Sequence, residues 1–502
     1  MPDWQLSWAV RAGGEEYDWP DSTIPRETGW AIAVLEDGSV YVTGLATEQA
    51  VFGEGEPNES LFPEHTGWSD AFLAKYGPDG RLAWVRRIGG PDEHTGDYGH
   101  DVAVLEDGSA VVVGRFDSPE IVLGEGEPNE TVLTGIDESY DIKAFIARYA
   151  PEGDLAWAVQ IPRANETYVE AETVHALADG RILVSGGLNG TAWPGEPIEI
   201  SSMPSATSAE NWDGFLAWYD EDGTVSHAAR IGNDSNDSFH AVAATGDGGA
   251  IAAMFYFGEN VDHSGEETFG LGEPNETVLH CDDDVGCSSL ARYDDHGHLL
   301  WVRDLGIFNP TTSLNVTVLE NGDIGLVAQF AGPSDPDGDG VFFDVNSADN
   351  TFGSVVAVYR VADGEFVWAR MGSFIGNSRA AGNVFAMPGS GLVAGFAFEH
   401  MLTFEGDDDG QRILVSGGDS DIMLMSLSAA GEILWMHSMG GVGEECTSFG
   451  AQMNGSSIWL TGAYGSNPFV ATSGHGDDVE LSLDGISDIF LMRFDATTLP
   501  TE

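Results

Sequence analysis

One stretch recurs along this sequence and restricts what the chain can fold into. DAFLAKYGPDGRLAW, Asp70 to Trp84, alternates Phe72, Ala74 and Tyr76, turns at Pro78, Asp79 and Gly80, and returns through Leu82 and Trp84. Proline at the second turn position, with glycine where a left-handed conformation is needed, makes this a β-hairpin. Copies read AFIARYAPEGDLAW (Ala144 to Trp157), GFLAWYDEDGTVSH (Gly214 to His227), SLARYDDHGHLLW (Ser289 to Trp301), VAVYRVADGEFVW (Val356 to Trp368) and LMSLSAAGEILW (Leu424 to Trp435). Their turn glycines, Gly80, Gly153, Gly223, Gly297, Gly364 and Gly431, are 73, 70, 74, 67 and 67 residues apart.

A second hairpin precedes the first in each period, as in AIAVLEDGSVYVTG (Ala31 to Gly44), DVAVLEDGSAVVVG (Asp101 to Gly114) and, most degraded, GAQMNGSSIWLTG (Gly450 to Gly462). Seven periods of two hairpins give seven four-stranded units. At the ends, Gln5 to Val10 resembles a second arm without its first, and Asp488 to Asp495 a first arm without its second. Each completes the other. The expected fold is therefore all-β, a single seven-bladed β-propeller over 1–502 with four-stranded antiparallel blades. It is closed by pairing of the N-terminal strand with the C-terminal strands. The blades are expected at about 30–87, 100–160, 172–230, 240–304, 314–370, 381–438 and 447–495 plus 5–10. A β-helix, the competing repeat architecture, has much shorter coils.

The VAVLEDGSVYVTG and FLAKYxPDGxLxW pattern resembles the bacterial SBBP-type, NHL-like β-propeller repeat family. That resemblance implies a secreted or surface protein and adds no chemistry. No basic segment followed by an apolar run opens the sequence, and no 18-residue apolar window suggests a membrane span. The expectation is an extracellular or cell-surface monomer whose export signal is not in this sequence.

Charge narrows the partners. With 83 Asp and Glu against 19 Lys and Arg, the net charge is −64, and Lys75 and Lys143 are the only lysines. Such a surface repels nucleic acid and anionic lipid, and it suits a salty medium where cations screen self-repulsion. A glycan or a protein is the expected ligand. No nucleophile elbow, HExxH motif or phosphate loop occurs, so no organic cofactor is expected and binding is favoured over catalysis. The alternative is an enzyme using the central funnel, a polysaccharide lyase or hydrolase, or a quinoprotein-type oxidoreductase, whose repeats VADGEFVW resembles.

Four constellations stand out. The entrances of the innermost strands, found by counting back eight residues from the turn glycine of each second hairpin, put Trp30, His100, Glu172 and His240 where blades converge, with Asp101 one position further in. They are the candidate ligand-binding funnel, for a small ligand or a metal. Neutral imidazole is needed to bind metal, so affinity there is expected to fall as pH drops through about 6.5. In DPDGDGVFFD, Asp335, Asp337 and Asp339 alternate before Gly340, with Asp344 beyond, which fits the first half of an oxygen-ligand Ca2+ loop. Cys281 and Cys287 enclose a short loop and are the candidate disulfide. Finally, GEGEPNES (Gly53 to Ser60), GEGEPNET (Gly124 to Thr131) and GLGEPNET (Gly270 to Thr277) read as one structural loop copied with its blade.

Overall fold

The computed structural model describes residues 4–14, 27–47, 50–62, 69–90, 96–135, 142–163, 168–193, 200–201, 212–231, 238–256, 266–270, 272–280, 287–307, 310–331, 334–336, 343, 351–375, 382–405, 410–418, 420–443, 445–471, 479–483 and 487–496. Within blade one, four strands run outward from the central channel as A (Thr28–Val34), B (Val40–Ala46), C (Asp70–Tyr76) and D (Leu82–Ile88). The same A-B-C-D order recurs around the ring. The other A strands are Asp97–Val104, Tyr168–Ala176, Ser238–Ala244, Pro310–Val318, Gly382–Ala386 and Glu445–Asn454.

The seventh blade is completed by both chain ends. Its D strand is Trp4–Gly13, antiparallel to Asp488–Ala496 with Trp4 opposite Ala496 and Ala12 opposite Ile489. A buried ion pair fastens the joint, because the Arg11 guanidinium lies 3.1 Å from the fully buried Asp488 carboxylate. Arg87 with Asp70 and Arg230 with Asp213 repeat that pairing in blades one and three.

Strand B shows why the sequence is nearly continuously apolar there. Val40–Ala46 is buried at every position, because a propeller blade has a neighbour on both faces. Alternate residues feed different cores: Val40 and Val42 pack against Trp459, Ile489 and Leu491 of blade seven, while Tyr41 packs against Val112 and Phe145 of blade two. Each joint between consecutive blades holds one such apolar cluster.

At five joints the D-strand tryptophan is an inter-blade staple. Its indole N–H donates to a carbonyl in the C-to-D turn of the next blade: Trp84 to Pro151, Trp157 to Glu221, Trp301 to Val361, Trp368 to Ala429 and Trp8 to Pro78, at 2.9 to 3.1 Å. The turn glycine is fixed twice over. Gly153 sits at φ +94°, and a Cβ on it would lie 2.8 Å from the Trp84 ring. Scarce cations reinforce these joints, with Lys75, Arg148, Arg292 and Arg493 donating to the same carbonyls as the indoles of Trp84, Trp157, Trp301 and Trp8.

Four strands per blade is not the whole content. B-to-C connections carry a further small hairpin, such as Glu120–Leu123 with Thr131–Thr134. Two of these hairpins extend the preceding blade to six strands: Met401–Glu405 pairs with the D strand of blade five, and Val51–Phe52 with Trp4–Gly13. The sequence hid them because strands of two to five residues interrupted by turn residues carry too little alternation to register.

The octets are the turns of three such hairpins. The Glu56 carboxylate accepts from the Leu82 N–H at 2.8 Å and the Asn58 amide donates to the Leu82 carbonyl at 3.1 Å. Glu127 and Asn129 do the same to Leu155, and Glu273 and Asn275 to Leu299. The repeated Glu-Pro-Asn is thus a clamp on the first residue of the blade's own D strand. Cys287 opens strand C of blade four, is buried and is disulfide-bonded; Cys281 lies outside the described residues.

Candidate functional site

The innermost strands converge on a channel cavity of about 670 Å³ lined by all seven blades. Most of its wall is small or apolar, such as Ala33, Val104, Ala243 and Val318. Its titratable side chains, His100, Asp101, Glu172 and His175, lie on blades two and three beside Trp30 of blade one, while blades five to seven contribute neutral polar groups such as Asn315, Asn383 and Gln452.

A β-bulge puts Trp30, His100 and Glu172 there. In blade one Gly29 pairs with Gly44 and Ala31 with Thr43, leaving Trp30 as the extra residue. In blade two the extra residue is His100, in blade three Glu172 and in blade four His240. A bulge bends the strand and re-aims one side chain. Here it adds a residue at corresponding places on four consecutive blades, and Trp30, His100 and Glu172 line the cavity. In blades one to three the strand-B residue beside the bulge is glycine, and a Cβ on Gly44, Gly114 or Gly186 would overlap the main-chain carbonyl oxygen of Thr28, Tyr98 or Glu170; blade four carries Met254 there, opposite Phe239. That close approach accounts for the VTG, VVG and VSG endings of the second hairpins in blades one to three.

Trp30 stacks on Tyr98 with centroids 5.6 Å apart and planes within 5° of parallel, and its centroid is 5.4 Å from that of His100. The Arg115 guanidinium lies 4.7 Å from the Tyr98 centroid and 2.9 Å from the Glu170 carboxylate. His100 Nδ1 is 2.9 Å from the Ala171 carbonyl, so Nδ1 carries the proton and Nε2 is the acceptor. Burial lowers the His100 imidazole to about 4. It stays neutral well below pH 6.5, which corrects the expectation that it titrates at its ordinary value. Burial, helped by Glu170, pushes the Glu172 carboxyl up to about 8, so at neutral pH it is an acid that can donate.

Asp101 differs from its neighbours. It lines the channel, but its two oxygens accept from the Val102 and Val174 N–H groups, both at 2.8 Å, tying blade two to blade three. It is a strut more than an open ligand. The strand position of His240 is described and its side chain is not. Tyr98, Arg115 and Glu170 were not singled out in the sequence. Their signal was positional: two residues before the bulge in strand A, or directly after the bulge glycine in strand B.

The acidic loop of blade five is described in part. The Asp335 N–H donates to the Gly306 carbonyl at 2.8 Å, holding the loop against the end of blade four. Asp337, Asp339 and Asp344 lie outside the described residues. Among the described residues no helix is long and apolar enough to cross a membrane.

No protein-family model matches the chain. Regulatory protein FlaEY of Caulobacter vibrioides is 28% identical over 214 residues, 42% of this chain and 20% of that protein. An uncharacterized WD repeat-containing protein of Acanthamoeba polyphaga mimivirus is 25% identical over 192 residues, 38% of this chain and 13% of that protein. The matched segments are thus a small part of either relative. Among solved structures, a protein of unknown function from Dyadobacter fermentans superimposes with a TM-score of 0.41 at 9% identity, covering 99% of this chain and 100% of its own. Phage phi92 endosialidase gives 0.35 at 8%, covering 100% of this chain and 70% of its own. The sequence relatives are distant, and the likeness to repeat proteins goes no further than that.

Proposed function

We propose that this chain is an exported, monomeric binding propeller of the SBBP kind, and that it takes a glycan at the bulged rim of blades one to three. The observation that carries this reading is the bulge array, which adds Trp30, His100 and Glu172 to one mouth. Sugars bind through the apolar C–H faces of their rings and their hydroxyl groups. The aromatic surface of Trp30, backed by the stacked Tyr98, suits the first, while the Glu172 acid and the His100 acceptor suit the second. The charge of −64 disfavours polyanionic ligands, so a neutral or amino sugar fits best. Ca2+ in the loop of Asp335, Asp337, Asp339 and Asp344 belongs to the same proposal as a support for the blade-five connection.

A glycan array followed by calorimetry tests this. Trp30→Ala and Glu172→Gln should each weaken the best hit at least about tenfold, the scale of one lost buried contact. Unchanged affinity in both would move the site to the outer connections. One observation favours a second reading: a carboxyl at about 8 is suited to general acid catalysis, so release of reducing ends from a bound polysaccharide, lost in Glu172→Gln, would make this a hydrolase.

A further inference from the structure

The tryptophan staple is replaced at one joint. Strand D of blade three carries His227 at the tryptophan position, and the turn that it faces in blade four reads Asp294, Asp295, His296, Gly297, His298. The corresponding turn of blade one reads Pro78, Asp79, Gly80, Arg81 after Gly77. Three histidines thus occur together where blade one and its joint have tryptophan, an acid and arginine. The mechanical duty has been taken over by others. Arg181 donates to the Asp295 carbonyl at 3.3 Å, the counterpart of the carbonyl that other indoles hold, and the indole of Trp218, which pairs with His227, donates to Gly248 at 3.0 Å.

We infer that His227, His296 and His298 form a site for a divalent transition-metal cation of the zinc class at the joint of blades three and four, on the face opposite the bulged rim. The His227 and His296 ring centroids are 6.0 Å apart, and those of His296 and His298 6.3 Å. In a tetrahedral shell with nitrogen at about 2.0 Å the spacing is about 5 Å, so the closure needed is about an ångström. The His296 and His298 side chains are 66% and 63% exposed, free to make it and open to solvent.

Each ring already has the outer partner that metal-ligating histidines have. His296 Nδ1 is 2.7 Å from an Asp295 oxygen and His298 Nδ1 3.2 Å from an Asp294 oxygen, which leaves both Nε2 atoms as ligands. The His227 ring faces the His296 ring across the joint and offers the third nitrogen. Ligand atoms of Asp294, Asp295 and His296 lie within 4.8 Å of one another, so a carboxylate is at hand as the fourth ligand. The charges around the site are Asp294, Asp295 and Asp179 against Arg181, which favours a cation. Imidazole together with few carboxylates selects zinc, copper or nickel over calcium and magnesium.

The test uses the full chain and ZnCl2 alone. Calorimetry is run in high NaCl, with Ca2+ and Mg2+ as controls, so that diffuse attraction to the acidic surface is screened. One Zn2+ should bind per chain, with X-ray absorption showing imidazole nitrogen at about 2.0 Å. His227→Trp restores the repeat residue, and His296→Asp with His298→Arg restores the turn of blade one; each should weaken Zn2+ binding at least about tenfold while leaving the metal-free melting temperature unchanged or raised. If a variant fails to fold, Asp294→Asn, expected to weaken binding about 10- to 100-fold, reads the same site. Stoichiometric Zn2+ binding that survives the three histidine replacements, an all-oxygen shell, or no Zn2+ binding at micromolar concentration would overturn the inference.

Discussion

The staple can be tested by asking whether a tryptophan and the turn glycine of the next blade act as a unit. In Gly153→Ala, an alanine is forced to φ +94° at a cost of about 1 kcal/mol, and its Cβ at 2.8 Å from the Trp84 ring adds about 1–2 kcal/mol of overpacking. Trp84→Ala loses a half-buried indole and its 3.1 Å hydrogen bond to Pro151, about 2–3 kcal/mol together. In the double variant the ring that the Cβ strikes is gone. The two effects should then sum to about 1–2 kcal/mol less than the separate costs, measured by equilibrium denaturation of the four proteins. Trp8→Ala with Gly153→Ala is the control, since Trp8 faces Gly80 at a different joint and that pair should be additive within about 0.5 kcal/mol. Additivity of Trp84 with Gly153 at that same level would refute the staple as an energetic unit.

Deleting residues 1–13 removes the outer strand of blade seven and the Arg11 partner of Asp488, and should lower the melting temperature sharply; an unchanged melt sinks the closure. Stability should fall as pH rises from about 5 to 8, because the folded-state carboxyls of Glu172 and Asp101 are raised to about 8 and about 7, and the stability they contribute is full below their unfolded values and lost as pH passes through the folded ones. For Glu172, halved for its partial solvent access, this is about 2 kcal/mol, and Glu172→Gln should flatten the pH profile of the melt by that much. His100, lowered to about 4, opposes the trend only below pH 6.5. Stability should also rise with NaCl, and Ca2+ should stabilise beyond Mg2+ at equal ionic strength; equal effects would argue against a dedicated site at Asp335, Asp337 and Asp339.

Blade number, strand order and closure were legible because each rests on local alternation and on recurrent turn glycines, and the funnel positions Trp30, His100 and Glu172 were found by counting back from the turn glycines of the second hairpins. That these residues are bulged was not legible. A bulge adds one residue without altering composition, and its trace, Gly44, Gly114 or Gly186 ending strand B, reads from sequence as an ordinary strand terminus. Tyr98 and Arg115 escaped notice for a related reason. They reach the rim from different strands, and only the register of strands A and B brings them to Trp30 and Glu170. The histidines of the third joint were visible as departures from the repeat, but their meaning depends on Arg181 and Trp218 having taken over the staple.

The outer strand of blade seven also sets a timetable for biogenesis. Trp4–Gly13 leaves the ribosome some 475 residues before its partner Asp488–Ala496. At typical elongation rates the wait is roughly half a minute to a minute and a half. This pairing joins residues far apart in sequence, whereas every other blade pairs its C and D strands through a short turn, so the last joint is the last to form. Throughout that interval Trp8 and Val10 lack the strand they pair with, and the apolar face of blade one on which they settle stays uncovered. A chain built this way has an uncovered apolar edge through most of its synthesis, and that edge is where copies of it would meet before the ring is latched.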